Sequence, residues 1–281
     1  MKVGVVGLGA MGSGIAQLAI EAGLDTVGRE VERARADAAR DRIAHFLTRK
    51  VEKGQLAEDA RDAAVGRLAV TTHLGDLADC DIVIEAAFEE LGVKHALFRE
   101  LEQIVGPDTI LATNTSALSV TEIAAVLERP ERAVGMHFFN PAPLMPLVEI
   151  IRAERTSERV WDAAYELGLK LGKTPIRCSD TPGFVVNRIL IPLLNDCVRV
   201  LDEAGVTPEA LDAGMTNGAG WPMGPCTLLD LVGADVHVHA SEALYEKLRE
   251  PRMAPPARLV RMVQAGKLGR KSGEGFYRYD Q

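Results

Sequence analysis

Four side chains spaced along the chain carry the groups needed to bind a carbonyl or alcohol oxygen and move its proton. They are Ser116 in Asn114-Thr115-Ser116, His137 in His137-Phe138-Phe139-Asn140-Pro141, Glu149, and Asn187. Together they offer a hydroxyl, an imidazole, a carboxylate and a carboxamide. Each alone has an ordinary structural explanation. A lone histidine at a strand end is more often hydrogen-bonded and inert. Glu149 suits a partly buried ion pair. The run Thr113-Asn114-Thr115-Ser116 suits turn and cap chemistry, and Asn187 suits a polar residue facing solvent near a helix start. Company shifts that balance. Glu149 follows His137 by 12 residues and falls in the next strand-like run. That spacing lets a neighbouring strand present a carboxylate to the ring, which would fix its tautomer and stabilise the imidazolium.

Upstream, Gly7-Leu8-Gly9-Ala10-Met11-Gly12 follows the strand-like Val3–Val6 and opens a helix-forming run, the context a dinucleotide fingerprint requires. The first glycine permits the tight turn, the second lets a pyrophosphate approach the backbone, and the third lets helix and strand pack closely. The helix N-terminus then offers free N–H groups to phosphates. Glu30 lies 18 residues beyond Gly12, near the usual spacing of about 20 for the ribose-binding acid. A carboxylate there favours NAD over NADP, while the adjacent Arg29 argues the other way. The competing explanations are a glycine-rich turn without ligand and, for Glu30, a helix N-terminal charge. A nucleotide site followed by a proton-transfer site suggests a dehydrogenase.

The elements that must position these groups alternate in the first half. Strand-like runs at Val3–Val6, Leu68–Thr71, Ile82–Glu85, Thr109–Ala112 and Ala133–Phe138 enclose helical segments such as Gly12–Ala22, Gly92–Val105 and Thr121–Leu127. This implies βαβ units and a parallel sheet covered on both faces. A strand over Asp25–Gly28 is weakened by its glycine. The charged stretch Val31–Leu56 reads as a long helix or helical hairpin, either a lid or substrate arm or a solvated helix. Strands at Leu147–Ile151 and Thr174–Arg177 flank a helix over Glu158–Leu171. After Thr181-Pro182-Gly183 only helices follow: Phe184–Glu203, kinked at Pro192, then Pro208–Met215, Gly224–Val232, Ala234–Leu248 and Pro256–Ala265. The expected fold class is therefore α/β: a Rossmann-type dinucleotide-binding domain over residues 1–182, with a helical insertion near 31–56, then an all-helical domain over 183–281.

Composition narrows the class. With 281 residues and 47% hydrophobic content the chain is globular, and its net charge of −8 opposes non-specific nucleic-acid binding. An anionic ligand would need local basic residues. Cys80, Cys178, Cys197 and Cys226 form no CxxC pair and no His stands at metal-ligand spacing from them, so no metal is expected. Cys80, Cys178 and Cys197 read as small buried apolar residues. The chain opens directly on a strand-like run and contains no uncharged apolar stretch of membrane-spanning length, which favours a cytoplasmic protein.

The segments GLGAMGSGIAQ (7–17), EAAFEE (85–90), NTS (114–116), HFFNP (137–141), MPLVEI (145–150), TPGFVVNR (181–188), PMGP (222–225) and GRKSGEGFY (269–277) occur in that order. In them the chain resembles the 3-hydroxyacyl-CoA dehydrogenases, especially the short bacterial 3-hydroxybutyryl-CoA type, over nearly its whole length. The resemblance implies NAD-dependent interconversion of an L-3-hydroxyacyl-CoA and the 3-ketoacyl-CoA, in a cleft between two domains, with a homodimer formed through the helical domain. An internal core is the other explanation for the helical domain's apolar stripes. His137 would be the general base and Glu149 its partner; Ser116 and Asn187 would hydrogen-bond the reacting oxygen and thioester region. Gly7, Gly9, Ala10, Met11, Gly12 and Glu30 would hold the dinucleotide, with Glu89, Lys94, Ser116, Asn140 and Lys271 at its nicotinamide end. Lys53 would contact coenzyme A. Two residues depart from the pattern: Phe46 stands where a coenzyme-A-contacting serine is common, and Glu30 where aspartate is commoner. The rival readings are the same fold acting on a carrier-protein-bound or free hydroxy acid, and a non-catalytic NAD-binding protein, for which an intact base–carboxylate set has no use.

Overall fold

The computed structural model describes residues 1–279 and divides into two compact units, Met1–Thr181 and Pro182–Gln281. The first contains β1 (Lys2–Val6), α1 (Ala10–Glu21), β2 (Asp25–Arg29), α2 (Arg33–Glu52), α3 (Glu58–Gly66), β3 (Leu68–Thr71), β4 (Ile82–Glu85), α4 (Leu91–Ile104), β5 (Ile110–Thr113), α5 (Val120–Ala124), β6 (Ala133–Phe138), β7 (Leu147–Arg152), α6 (Glu158–Lys170) and β8 (Thr174–Ser179). The strands form one eight-stranded sheet in the order β3-β2-β1-β4-β5-β6-β7-β8. Every neighbouring pair is parallel except β6 and β7.

Burial on both faces explains the run-like sequences of the central strands. Every residue of β4, β5 and β6 is buried, as expected where helices cover both sides of a parallel sheet. Val3, Val5, Ile82 and Ile84 pack with Ile15, Ile43 and Leu47 in one layer. Val6 and Val83 join Phe98, Leu101 and Leu111 in the other. The period-2 alternation of a strand thus feeds two apolar layers.

Two expectations are corrected and a third is narrowed. The glycine in β2 does not weaken it: β2 pairs along its length with both β1 and β3. A Cβ on Gly28 would lie 2.8 Å from Leu8 Cδ1, so the glycine admits a side chain of the glycine-rich loop after β1. Of the two alternatives for the charged insertion, the single long helix is the one formed, α2 with 20 residues, and a further helix, α3, follows beyond the expected range. Only Ala64 of α3 is buried, so α3 leaves almost no apolar signature. Cys178 is half-buried rather than buried, because it lies on the edge strand β8.

The second unit is helical: α7 (Val186–Ala204), α8 (Pro208–Ala213), α9 (Pro225–Val232), α10 (Ala234–Leu248) and α11 (Ala257–Gln264). Leu194 and Val198 of α7 pack with Leu229, Val238 and Leu259. Pro192 lies inside α7 without ending it, and the helix stops at Gly205 in a left-handed cap with φ 64°. Two buried aspartates absorb the late motifs. Asp212 accepts from the Cys226 and Thr227 amides and from the Tyr277 hydroxyl. Asp230 accepts from the Phe276 and Tyr277 amides. Cβ atoms on Gly224 and Gly275 would strike Asp212 and Asp230 at 2.2 and 2.0 Å. The glycines of PMGP and GEGFY therefore let these carboxylates close on the backbone. No helix among the described residues is long and apolar enough to cross a membrane.

Candidate active site

The nucleotide end is built at the C-terminal edge of β1. Gly7 has φ 88°, and a Cβ on it would come within 2.7 Å of the Ala86 carbonyl oxygen. A Cβ on Gly12 would lie 1.8 Å from the Gly7 oxygen, so only glycine allows α1 to start this close to β1. Gly9 differs: nothing lies within 4 Å of the position its Cβ would take. That space is where a phosphate can approach the backbone, and the first turn of α1 holds no acidic residue to oppose it. Glu30, just past β2, accepts the Leu8 amide at 3.0 Å and the Val31 amide at 2.8 Å. Its carboxylate is thus fixed beside the loop, as a ribose-binding acid must be. These residues fit a dinucleotide.

A cavity of about 1200 Å³ extends from this loop. Gly7, Gly9, Ala10, Glu30, Phe46, Lys53 and Asn140 all line it. So do Arg29, Arg35, Arg42, Arg49 and Lys50, against the carboxylates of Glu30 and Glu100. An acidic chain thus places several basic side chains along this cavity, although Arg35, Arg49 and Lys50 are paired with Glu32, Glu52 and Glu21. Phe46 is 52% exposed on α2, and Phe88 and Leu144 are also exposed at the cavity.

The chemical end is built across β6 and β7, the antiparallel pair of the eight-stranded sheet. His137 of β6 and Glu149 of β7 are direct cross-strand partners. Side chains of opposed residues lie on the same face, so the carboxylate meets the ring. His137 Nδ1 lies 2.6 Å from Glu149 Oε2, with Glu149 fully buried and His137 5% exposed. A carboxylate at Nδ1 makes that nitrogen the donor and places the neutral ring's lone pair on Nε2. Asn114 Oδ1 accepts the Phe138 amide at 2.9 Å, tying the end of β6 to the loop after β5.

That loop carries Ser116. Glu89 Oε1 accepts the Thr115 hydroxyl at 2.7 Å, the Ser116 amide at 2.7 Å and the Ala117 amide at 3.1 Å, with the Ser116 hydroxyl at 3.3 Å. Burial pushes the Glu89 carboxyl up, but the Lys94 charge and these bonds outweigh it and hold the group below the ordinary glutamate range. Lys94 is 1% exposed, 2.6 Å from Glu85 Oε1 and 3.2 Å from Glu89 Oε2. Its charge is taken up by two carboxylates, and it bears on the site through Glu89. Glu85 also accepts the Ala87 amide and the Thr113 hydroxyl. Asp180 caps α5 through Ser119, Val120 and Thr121.

Asn187 lies in the first turn of α7, in the second unit. Lys271 is in the same unit, its amine 2.7 Å from Asp235 Oδ2. Sequence reasoning missed Arg42, Glu85 and Asp180. A carboxylate ending the wholly apolar β4 was a usable signal for Glu85; a single arginine in a charged helix gave none for Arg42.

The profile described as "3-hydroxyacyl-CoA dehydrogenase, NAD binding domain" matches residues 2–181, and "3-hydroxyacyl-CoA dehydrogenase, C-terminal domain" matches residues 183–279. A probable 3-hydroxybutyryl-CoA dehydrogenase of Deinococcus radiodurans is 47% identical over 279 residues, 99% of this chain and 100% of that protein. A 3-hydroxybutyryl-CoA dehydrogenase of Mycobacterium tuberculosis is 44% identical over 99% of this chain and 98% of its own. The crystal structure of (S)-3-hydroxybutyryl-CoA dehydrogenase PaaH1 from Ralstonia eutropha superposes with a TM-score of 0.96 at 42% identity, covering 100% of this chain and 99% of that one. The cofactor loop, the two-domain division and these likenesses agree, and the chain belongs to the 3-hydroxyacyl-CoA dehydrogenase family.

Proposed function

We propose that this enzyme interconverts a short-chain L-3-hydroxyacyl-CoA, such as 3-hydroxybutyryl-CoA, and its 3-ketoacyl-CoA. The observation that carries the reading is the buried His137–Glu149 pair, joined at 2.6 Å in the domain that holds the dinucleotide loop. Bound NAD supplies the hydride acceptor, and NADH the donor in the reverse direction. The chain's own residues handle the proton. His137 takes it from the substrate hydroxyl through Nε2, and Glu149 stabilises the imidazolium that results. Ser116 and Asn187 donate hydrogen bonds to the reacting oxygen and so favour the charge it develops. Glu89, Lys94, Asn140 and Lys271 serve the nicotinamide end directly or through one another.

NAD is preferred to NADP because the Glu30 carboxylate would oppose a 2′-phosphate. Lys53 on the cavity wall serves the coenzyme A moiety. The enzyme works as a homodimer through the helical unit, where Ile189, Leu231, Val232 and Val236 leave large apolar side chains exposed. We place it in the cytoplasm, in keeping with four free cysteines.

The test is to mix the protein with acetoacetyl-CoA and follow NADH absorbance, with NADPH in parallel. Rapid loss with NADH and slow loss with NADPH is expected. The exposed Phe46 ring favours a second reading, in which the acyl group rides on a carrier protein. Weak competition by free coenzyme A would support that reading, and strong competition removes it.

A further inference from the structure

Arg42 is not accounted for by the reaction. It lies mid-way along α2, lines the cavity, and reaches back to the cofactor loop. Its Nη2 donates to the Leu8 carbonyl oxygen at 3.0 Å and to Ser13 Oγ at 2.6 Å. Ser13 Oγ itself donates to the Leu8 oxygen at 2.7 Å. Leu8 sits between Gly7 and Gly9, and Ser13 lies in the first turns of α1. The guanidinium is thereby held beside the helix N-terminus.

Its charge has not been spent. Arg35, Arg49 and Lys50 on the same wall pair with Glu32, Glu52 and Glu21. Among the described residues no carboxylate pairs with Arg42, and neither Nε nor Nη1 makes a hydrogen bond. A guanidinium is a planar fork suited to phosphate oxygens, and a carbonyl oxygen and a hydroxyl do not neutralise it. The diphosphate of a dinucleotide brings two negative charges to a chain whose net charge is already −8. The glycine loop and the first turn of α1 offer backbone N–H groups but no side-chain cation.

We propose that Arg42 is a further dinucleotide-binding residue: Nη2 clamps the loop at Leu8 and Ser13, and its remaining donors take the diphosphate. The proposal rests on the cavity being the NAD site, and it makes the helical insertion part of that site.

The test measures binding rather than turnover. Adenosine, ADP and NADH are titrated calorimetrically into the wild type and into Arg42→Ala, Arg42→Gln and Arg42→Lys. A charge-assisted contact predicts that the alanine and glutamine variants each bind ADP and NADH about tenfold more weakly, with adenosine within about twofold. The lysine variant should recover most of the loss. Two results would overturn the proposal: a glutamine variant that binds ADP like the wild type, which would make Arg42 a neutral loop clamp, or an alanine variant that loses adenosine and ADP alike. A wild type that shows the predicted pattern but reduces no acyl-CoA would defeat the reaction assignment and leave the role of Arg42 intact.

Discussion

The two units each bury one histidine almost completely, and the partners differ. His137 in the sheet is 5% exposed and faces the carboxylate of Glu149 at 2.6 Å. His237 on α10 is 4% exposed and faces the carboxamide of Asn195, Nε2 to Oδ1, at 2.9 Å. The amide group of Asn195 is fixed by donating to the Arg252 and Met253 carbonyl oxygens, so its Oδ1 accepts and His237 Nε2 donates. A neutral partner cannot offset the cost of a buried charge, and burial pushes the His237 pKa down to about 4. His137 instead faces a carboxylate. The same residue at the same depth faces a neutral carboxamide in one unit and a carboxylate in the other. Under the proposed function, the charge of the partner, and not burial, is what suits His137 to proton transfer.

Two changes probe this contrast and a third sets the nucleotide end beside it, from the largest expected effect downward. His137→Ala should lower turnover of acetoacetyl-CoA by roughly two to four orders of magnitude and leave NADH binding nearly unchanged. Turnover near the wild-type rate would end the assignment of His137 as the base.

The His237 side predicts a stability effect rather than a kinetic one. Its folded pKa of about 4 lies below the ordinary value of 6.5, so between those pH values the unfolded chain binds a proton that the folded chain does not. Stability from this residue is complete above pH 6.5 and falls as pH drops toward 4, by up to about 1.4 kcal/mol per pH unit. Denaturant melts of the wild type and His237→Gln across that window should differ in slope, and equal slopes would refute the reading.

The smallest effect concerns the nucleotide end. Glu30→Ala should weaken NADH about five- to tenfold and NADPH less, narrowing the preference. An unchanged ratio of the two affinities would show that Glu30 is not the ribose ligand.

Legibility in the sequence followed the range of the interactions. The alternation of strands and helices, the glycine loop and the placing of His137 and Glu149 on consecutive strands rest on local spacing, and all could be read from the chain. The regularity of β2 could not, because Gly28 is explained by Leu8, twenty residues away. Helix α3 could not, because an exposed helix with a single buried alanine carries no apolar stripe. The Lys94–Glu85 pair and the Arg42 clamp join residues that only the folded sheet brings together. Cys178 was misjudged because its type suggests burial while its strand lies at the sheet edge.

The most direct test converts one histidine environment into the other. Glu149→Gln gives His137 the carboxamide partner that His237 already has, with almost no change in shape. Turnover with acetoacetyl-CoA and NADH would be measured together with NADH affinity. The account predicts turnover about a hundredfold lower or worse with affinity preserved, because the ring can no longer carry the proton. A glutamine variant that turns over within a few-fold of the wild type would contradict it.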